Sequence, residues 1–163
     1  MELRFYKKQD LALIEQYQLR EEQLRYTAMP AECIELSKTD VYRFPVLAIE
    51  DERLVTFFVL DKGKGVQAYT SNEEAILIRA FSTDYHYQGF GYAKKALSML
   101  PAFVRSHFQD TKEIILAVNV KNTAAQSLYK KCGYMDHGDR RMGKKGELII
   151  MRYPLSDSVI NRI

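Results

Sequence analysis

The stretch Tyr87-Gln88-Gly89-Phe90-Gly91-Tyr92-Ala93 decides how this chain reads. It follows an apolar run, Ala75 to Phe81, with the character of a strand, and it opens a run through Ala96, Leu97 and Leu100 with the spacing of a helix. Strand, glycine loop and helix in that order make a phosphate cradle. Glycines at 89 and 91 permit a tight turn and let a ligand approach bare peptide N–H groups. The helix behind them adds its unpaired first-turn amides and the positive end of its dipole, so a pyrophosphate needs few basic side chains there. A phosphorylated cofactor is the expected ligand. Gly-x-Gly before a helix also describes a plain turn, so the loop needs company elsewhere in the chain.

Further on, a second strand-like run from Glu113 to Asn119 leads into Asn122-Thr123-Ala124-Ala125-Gln126-Ser127-Leu128-Tyr129-Lys130-Lys131-Cys132-Gly133-Tyr134. Asn122 suits an N-cap and Gly133 suits the first residue past a helix end, so both termini are marked. Ala125, Leu128, Tyr129 and Cys132 fall at three- and four-residue spacing and form the apolar face. On these grounds alone Asn122 is a cap and Tyr129 a packed aromatic with a polar tip.

Gln-Gly-x-Gly-x-Ala after one strand, followed by Val-Asn-x-x-Asn-x-x-Ala-x-x-Leu-Tyr-x-x-x-Gly-Tyr after the next, resembles the GNAT superfamily of acyl-CoA-dependent N-acyltransferases. The resemblance spans residues 75 to 153 and keeps the order of the two motifs. It implies a single domain with a mixed, mostly antiparallel sheet, flanking helices and acetyl-CoA as cosubstrate. It also implies that Gln88, Gly89, Phe90, Gly91, Tyr92 and Ala93 hold the coenzyme pyrophosphate through backbone amides. Asn122 then steadies the pantetheine or nucleotide arm, and Tyr129 protonates the departing thiolate. A main-chain amide near Phe81 or Ser82 receives the oxyanion. The position between the glycines is often basic in the family and is Phe90 here, which leaves the phosphates to the backbone.

Direct transfer to an amine needs a neutral amine, and a lysine-like amine is under about 0.1% neutral at pH 7. A base, or water leading to one, is therefore expected. Glu50, Glu74 and Asp84 are the candidates. The family uses different positions in different members, and Asp84 also suits a turn. The expected function is acetyl transfer to a primary amine, with an inactive acyl-CoA-binding regulatory module as the alternative.

At 163 residues, 47% hydrophobic and 28% charged, the chain fits one domain with a substantial core. No apolar run reaches the roughly 18 residues of a membrane span, and the charged start lacks a signal-peptide pattern, so a cytoplasmic protein is expected. Cys33 and Cys132 have no metal-ligand spacing and read as small hydrophobes; His86, His107 and His137 are scattered, and no metal is expected. The net charge of +3 is uneven: residues 1–74 hold 10 Lys/Arg and 14 Asp/Glu, and residues 75–163 hold 14 and 7. An acidic first half would suit an amine acceptor and a basic second half the coenzyme; solvated faces would give the same count.

The remaining segments read in order. Leu3 to Tyr6 is a strand, Asp10 caps a helix with Leu11, Leu13, Ile14 and Tyr17, and a helical region from Arg20 to Ser37 breaks at Pro30. Residues 46–50 and 54–60 form a hairpin, and Lys62-Gly63-Lys64-Gly65 is a loop at its edge. Pro101 kinks or ends the helix after the cradle. Asp136 to Lys145 is a polar connection carrying the basic cluster Arg140 to Lys145, which alone would be the case for a nucleic-acid partner; none is expected. Gly146 to Tyr153 is the last strand. The domain is expected over residues 1–153, with 154–163 as a tail. Residues 1–74 and the 136–145 segment should shape the site of a small-molecule or peptide amine, and a homodimer is left open.

Overall fold

The computed structural model describes residues 1–155. Seven strands form one sheet in the order β1 (Glu2–Phe5), β2 (Arg43–Glu50), β3 (Arg53–Asp61), β4 (Ala75–Thr83), β5 (Glu113–Asn119), β7 (Gly146–Pro154), β6 (Met135–Gly143). Every neighbouring pair is antiparallel except β4 and β5. The parallel pair needs a crossover, and the helix α4 (Tyr92–His107) supplies it. Sheet and flanking helices match the expected mixed α/β architecture.

Both faces of the central strands are covered, which is why β3 reads as an almost unbroken apolar run. Phe58 and Leu60 point to one face, where Leu97, Leu100 and Val104 of α4 and Tyr129 of α5 (Thr123–Lys131) complete a core. Phe57 and Val59 point to the other, against Ile14 and Tyr17 at α1 (Leu11–Gln16) and Cys33 and Ile34 of α3 (Pro30–Thr39). Cys33 is buried and its thiol pKa is pushed up to about 11 by loss of water; Cys132 is half-buried, so both behave as the small hydrophobes expected.

Several local readings change. Asp10 precedes α1, but its carboxylate does not cap that helix. It accepts from Lys7 N–H at 2.9 Å and from the Arg4 guanidinium at 2.7 Å, tying the first helical turn to β1. Pro30 starts α3 at its first position, where its missing N–H costs nothing. A short helix, α2 (Glu21–Leu24), lies before it. The Lys62 to Gly65 loop passes into a 3-10 turn, Lys64–Ala68. Pro101 does not end α4, which runs on to His107. An interior proline costs about 3 kcal/mol or more, whereas burying Leu97, Leu100 and Val104 on the same face returns about 1.5–3 kcal/mol each, so packing wins.

The expected polar connection after Tyr134 is instead the edge strand β6. Among the described residues it pairs with β7 alone, carries a register shift between Asp136 and Arg140, and is exposed along most of its length. No side faces the core, so no alternation marks it, and charges on an edge strand discourage pairing with other chains. The last strand runs one residue past Tyr153: Pro154 closes β7, and Leu155 is buried with its N–H on Lys112 O at 2.8 Å. Residues 156–163 of the expected tail lie outside the described residues. Among the described residues no helix is long and apolar enough to cross a membrane.

The β2–β3 hairpin turns through Asp51 and Glu52 with φ of 51° and 66°, a left-handed pair that favours Asn-Gly. Glu52→Gly should raise stability by about 1 kcal/mol, since the left-handed conformation costs a side chain about 1–2 kcal/mol and glycine's chain entropy returns part of that. Chemical denaturation of both proteins would measure it.

Candidate active site

β4 and β5 begin as a parallel pair at Ala75 and Glu113, and their pairing stops at Ile78 and Leu116. Beyond that point the strands part. On its other side β4 carries a bulge: Val59 pairs with Arg79 and Phe57 with Ser82, so Ala80 and Phe81 have no partner on β3. Ala80 takes φ of 54° to make the bulge. Ala80 and Phe81 therefore fall outside the register of both ladders, at the wall of a cleft of about 1070 Å³.

Tyr17 fixes that wall from behind. Its hydroxyl donates to Ser82 O at 2.7 Å and lies 2.9 Å from Ser82 Oγ, fully buried, and burial raises its pKa well above the usual phenol value. Of the two residues expected near the oxyanion, Ser82 is held in the ladder and by Tyr17, and Phe81 is the unpaired one. Tyr17→Phe should cost about 1–3 kcal/mol by leaving the buried Ser82 carbonyl short of a donor, read as a lowered Tm.

The glycine loop closes one end of the cleft. Gly89 and Gly91 have φ of 85° and 79°, conformations that a side chain resists, and a Cβ on either would meet open space. Among the described residues no backbone carbonyl accepts from the amides of residues 88–91. The α4 ladder begins with Lys95 N–H on Gly91 O at 3.0 Å, so the amides of Tyr92, Ala93 and Lys94 have no partner in their own helix. Among the described residues, seven successive N–H groups thus have no main-chain acceptor in good hydrogen-bond geometry. Gln88, Gly89, Gly91, Tyr92 and Ala93 line the cleft. Phe90 does not; its ring is exposed and stacks on Tyr92, so only its amide remains available to a ligand.

Asn122 and Tyr129 line the same cleft from α5. Asn122 Oδ1 accepts from Ala125 N–H at 3.3 Å, so the cap is real and the position on the wall is real as well. Tyr129 is buried between Phe81 and Tyr134, and burial raises its pKa above the usual phenol value. Its proton is retained across the neutral range.

A match between residues 6–134 and the Acetyltransferase (GNAT) family covers most of the chain and includes the loop, the bulge and Tyr129. The chain belongs to the GNAT acetyltransferase family. This GNAT protein is 39% identical to an uncharacterized N-acetyltransferase of Bacillus subtilis (strain 168), YbbJ, over 93% of its own length and 95% of the relative's. Its fold is that of the aminoglycoside acetyltransferase AAC(6')-Ib solved with coenzyme A, at a TM-score of 0.77 and 14% identity, with 99% of this chain and 98% of that one covered. The spermidine N-acetyltransferase of Vibrio cholerae, solved with CoA and spermine, gives 0.71 and 17%, covering 95% of each chain. The protein is an acyl-CoA-dependent N-acetyltransferase, with acetyl-CoA as cosubstrate.

The three carboxylates expected as bases are elsewhere: none of Glu50, Glu74 and Asp84 lines the cleft. Glu50 pairs with Lys95 at 2.6 Å and the N-terminal ammonium at 2.8 Å, which hold its carboxyl below the usual range. Glu74 is exposed at the start of β4. Asp84 is buried and spent on turns, accepting from Gln18 and His86 N–H at 2.9 and 2.8 Å. Glu22 of α2 is the one carboxylate on the cleft wall among the described residues. Sequence reading missed it because a short polar helix gives no periodic signal, and it missed the Ala80 bulge because alanine gives no hint of a positive φ.

The basic cluster is largely bound up within the chain. Arg140 pairs with Asp136 at 2.8 Å, Arg141 donates to Ala68 O at 3.0 Å, and Lys145 Nζ reaches Leu24 O at 3.1 Å, bringing the β6–β7 turn over α2.

Proposed function

We propose that the free amides of residues 88–93 grip the pyrophosphate of acetyl-CoA and that the pantetheine arm runs between the parted β4 and β5. The single observation behind this is the run of uncommitted N–H groups at the mouth of an apolar cleft. Strand parting supplies a slot in which an extended arm pairs with exposed strand backbone, as an added strand would. Asn122 steadies the arm from the α5 end.

In this reading the acetyl carbonyl points at the Phe81 amide, which takes the developing oxyanion. The neutral amine attacks the thioester carbon and a C–N bond forms; the now cationic nitrogen gives its extra proton to water, and the C–S bond breaks as the tetrahedral intermediate collapses to the amide. The departing sulfur leaves as a thiolate, and Tyr129, kept protonated by burial, supplies its proton. Water then restores the Tyr129 proton from solvent. No covalent enzyme intermediate is needed.

Glu22 takes the proton that the acceptor ammonium must lose, directly or through water, in place of the three carboxylates first expected. The acceptor is an amine, as in the neighbours named for aminoglycoside and spermidine acetylation. All groups assigned to this chemistry lie in one chain, and Arg140 and Arg141 of the basic cluster are engaged within it. A cytoplasmic location fits dependence on acetyl-CoA.

Tyr129→Phe should lower kcat about 10²–10⁴-fold with little change in KM for acetyl-CoA, measured by thiol release across an amine panel. Glu22→Gln should lower kcat/KM about tenfold near neutral pH, with the deficit closing as pH rises and free amine becomes abundant. A pH-independent deficit would remove Glu22 from the proton path.

A further inference from the structure

Arg79 lines the cleft from the last paired position of β4 before the bulge. Alternation along β4 puts it with Ala75 and Leu77, which pack on Val66 and Ile115, and opposite Ile76 and Ile78, which pack on α4. The phosphate loop at the start of α4 therefore serves one face of the sheet and Arg79 the other.

Its guanidinium is held in place before any ligand arrives. Nε donates to Asp61 Oδ2 at 2.7 Å, and Asp61 is buried, with its second oxygen taken by Gly63 N–H at 2.8 Å. The Tyr69 ring lies 5.5 Å beneath the guanidinium carbon. Among the described residues Nε makes the one hydrogen bond of this group, which leaves both Nη nitrogens and their hydrogens uncommitted. A planar fork fixed through its third nitrogen is built to take two parallel bonds from an oxyanion.

The surroundings carry the same sign. Arg25, Lys144 and Lys145 line the cleft, and none takes part in an ion pair among the described residues. Glu22 alone opposes them. Thr27 Oγ1, also on this wall, is buried without a hydrogen-bond partner. A polycationic amine would meet a repulsive pocket and leave these donors unpaired, which costs specificity for such a ligand.

We propose that the acceptor is an amine that also carries an oxyanion, a carboxylate in the simplest case, and that Arg79 is the residue that selects it. The proposal rests on the acetyltransferase reading for the position of the coenzyme. Asp61 and Tyr69 act as positioning residues that aim the fork. The anion on the Arg79 side and the pyrophosphate on the α4 side then hold the two substrates across the opening between β4 and β5.

The test is calorimetric titration of the coenzyme A-loaded protein with matched pairs: α- and ω-amino acids against their carboxamides, phosphoethanolamine against ethanolamine, and spermidine as the polycation. Binding about tenfold or more tighter for the anionic member of at least one pair is expected, since a fork–oxyanion contact contributes at least that factor. A preference confined to phosphoethanolamine supports the oxyanion site and assigns it to phosphate. Arg79→Lys, which keeps the charge beside Asp61, should erase most of the preference without lowering Tm; Arg79→Gln with Asp61→Asn checks this with no buried charge left over. Equal binding within every pair, tighter binding of spermidine, or a preference that survives both variants would overturn the proposal. Thiol release measured alongside separates the two readings: no turnover with any amine would count against the assigned chemistry, while the titration would still decide the role of Arg79.

Discussion

Two strands that start as a parallel pair and then separate set the terms for the rest of this molecule. Below Ile78 and Leu116 the ladder is complete; above them β4 and β5 have backbone groups with nothing opposite. Buried peptide groups without partners cost about 1–3 kcal/mol each, so such a gap persists only where water or a ligand reaches it. The bulge at Ala80 and Phe81 widens the same gap from the β3 side, and Tyr17 keeps the displaced strand in place. The crossover that a parallel pair requires is α4, and its free N-terminal amides stand at the mouth of the opening. One topological requirement thus produces both a slot between the strands and, at its end, a run of amides without main-chain acceptors.

Charge along the chain and charge around the cleft tell different stories. The first half of the sequence is acidic, yet it contributes only Glu22 to the cleft as a carboxylate, beside Arg25. Glu50, Asp61 and Asp84 are consumed in ion pairs or turns. A count of charges is a statement about solubility and long-range attraction; which charges meet a substrate depends on which are already paired.

Much of the architecture was legible in local pattern. The glycines at 89 and 91 needed positive φ, the caps of α5 were Asn122 and Gly133, and the apolar runs of β3, β4, β5 and β7 were long enough to stand out. Elements failed to show where no face is buried, as in β6, or where tertiary packing overrides a local rule, as at Pro101. Phe90 illustrates the limit of a motif: its backbone belongs to the loop, while its ring leaves the cleft to stack on Tyr92. Glu50 was a candidate as the end of a hairpin strand, and Glu74 and Asp84 as neighbours of the strand and loop that form the cradle; position along the chain put none of them on its wall.

By itself the sequence determined the glycine loop between strand and helix, most of the elements and the family, because each rests on backbone conformation and spacing within a few residues. Only the tertiary structure decided which side chains face the cleft. Arg79 is joined to Asp61 and Tyr69 by strand pairing and packing between separate elements, and a fork aimed by a buried carboxylate has no signature in any single stretch of sequence.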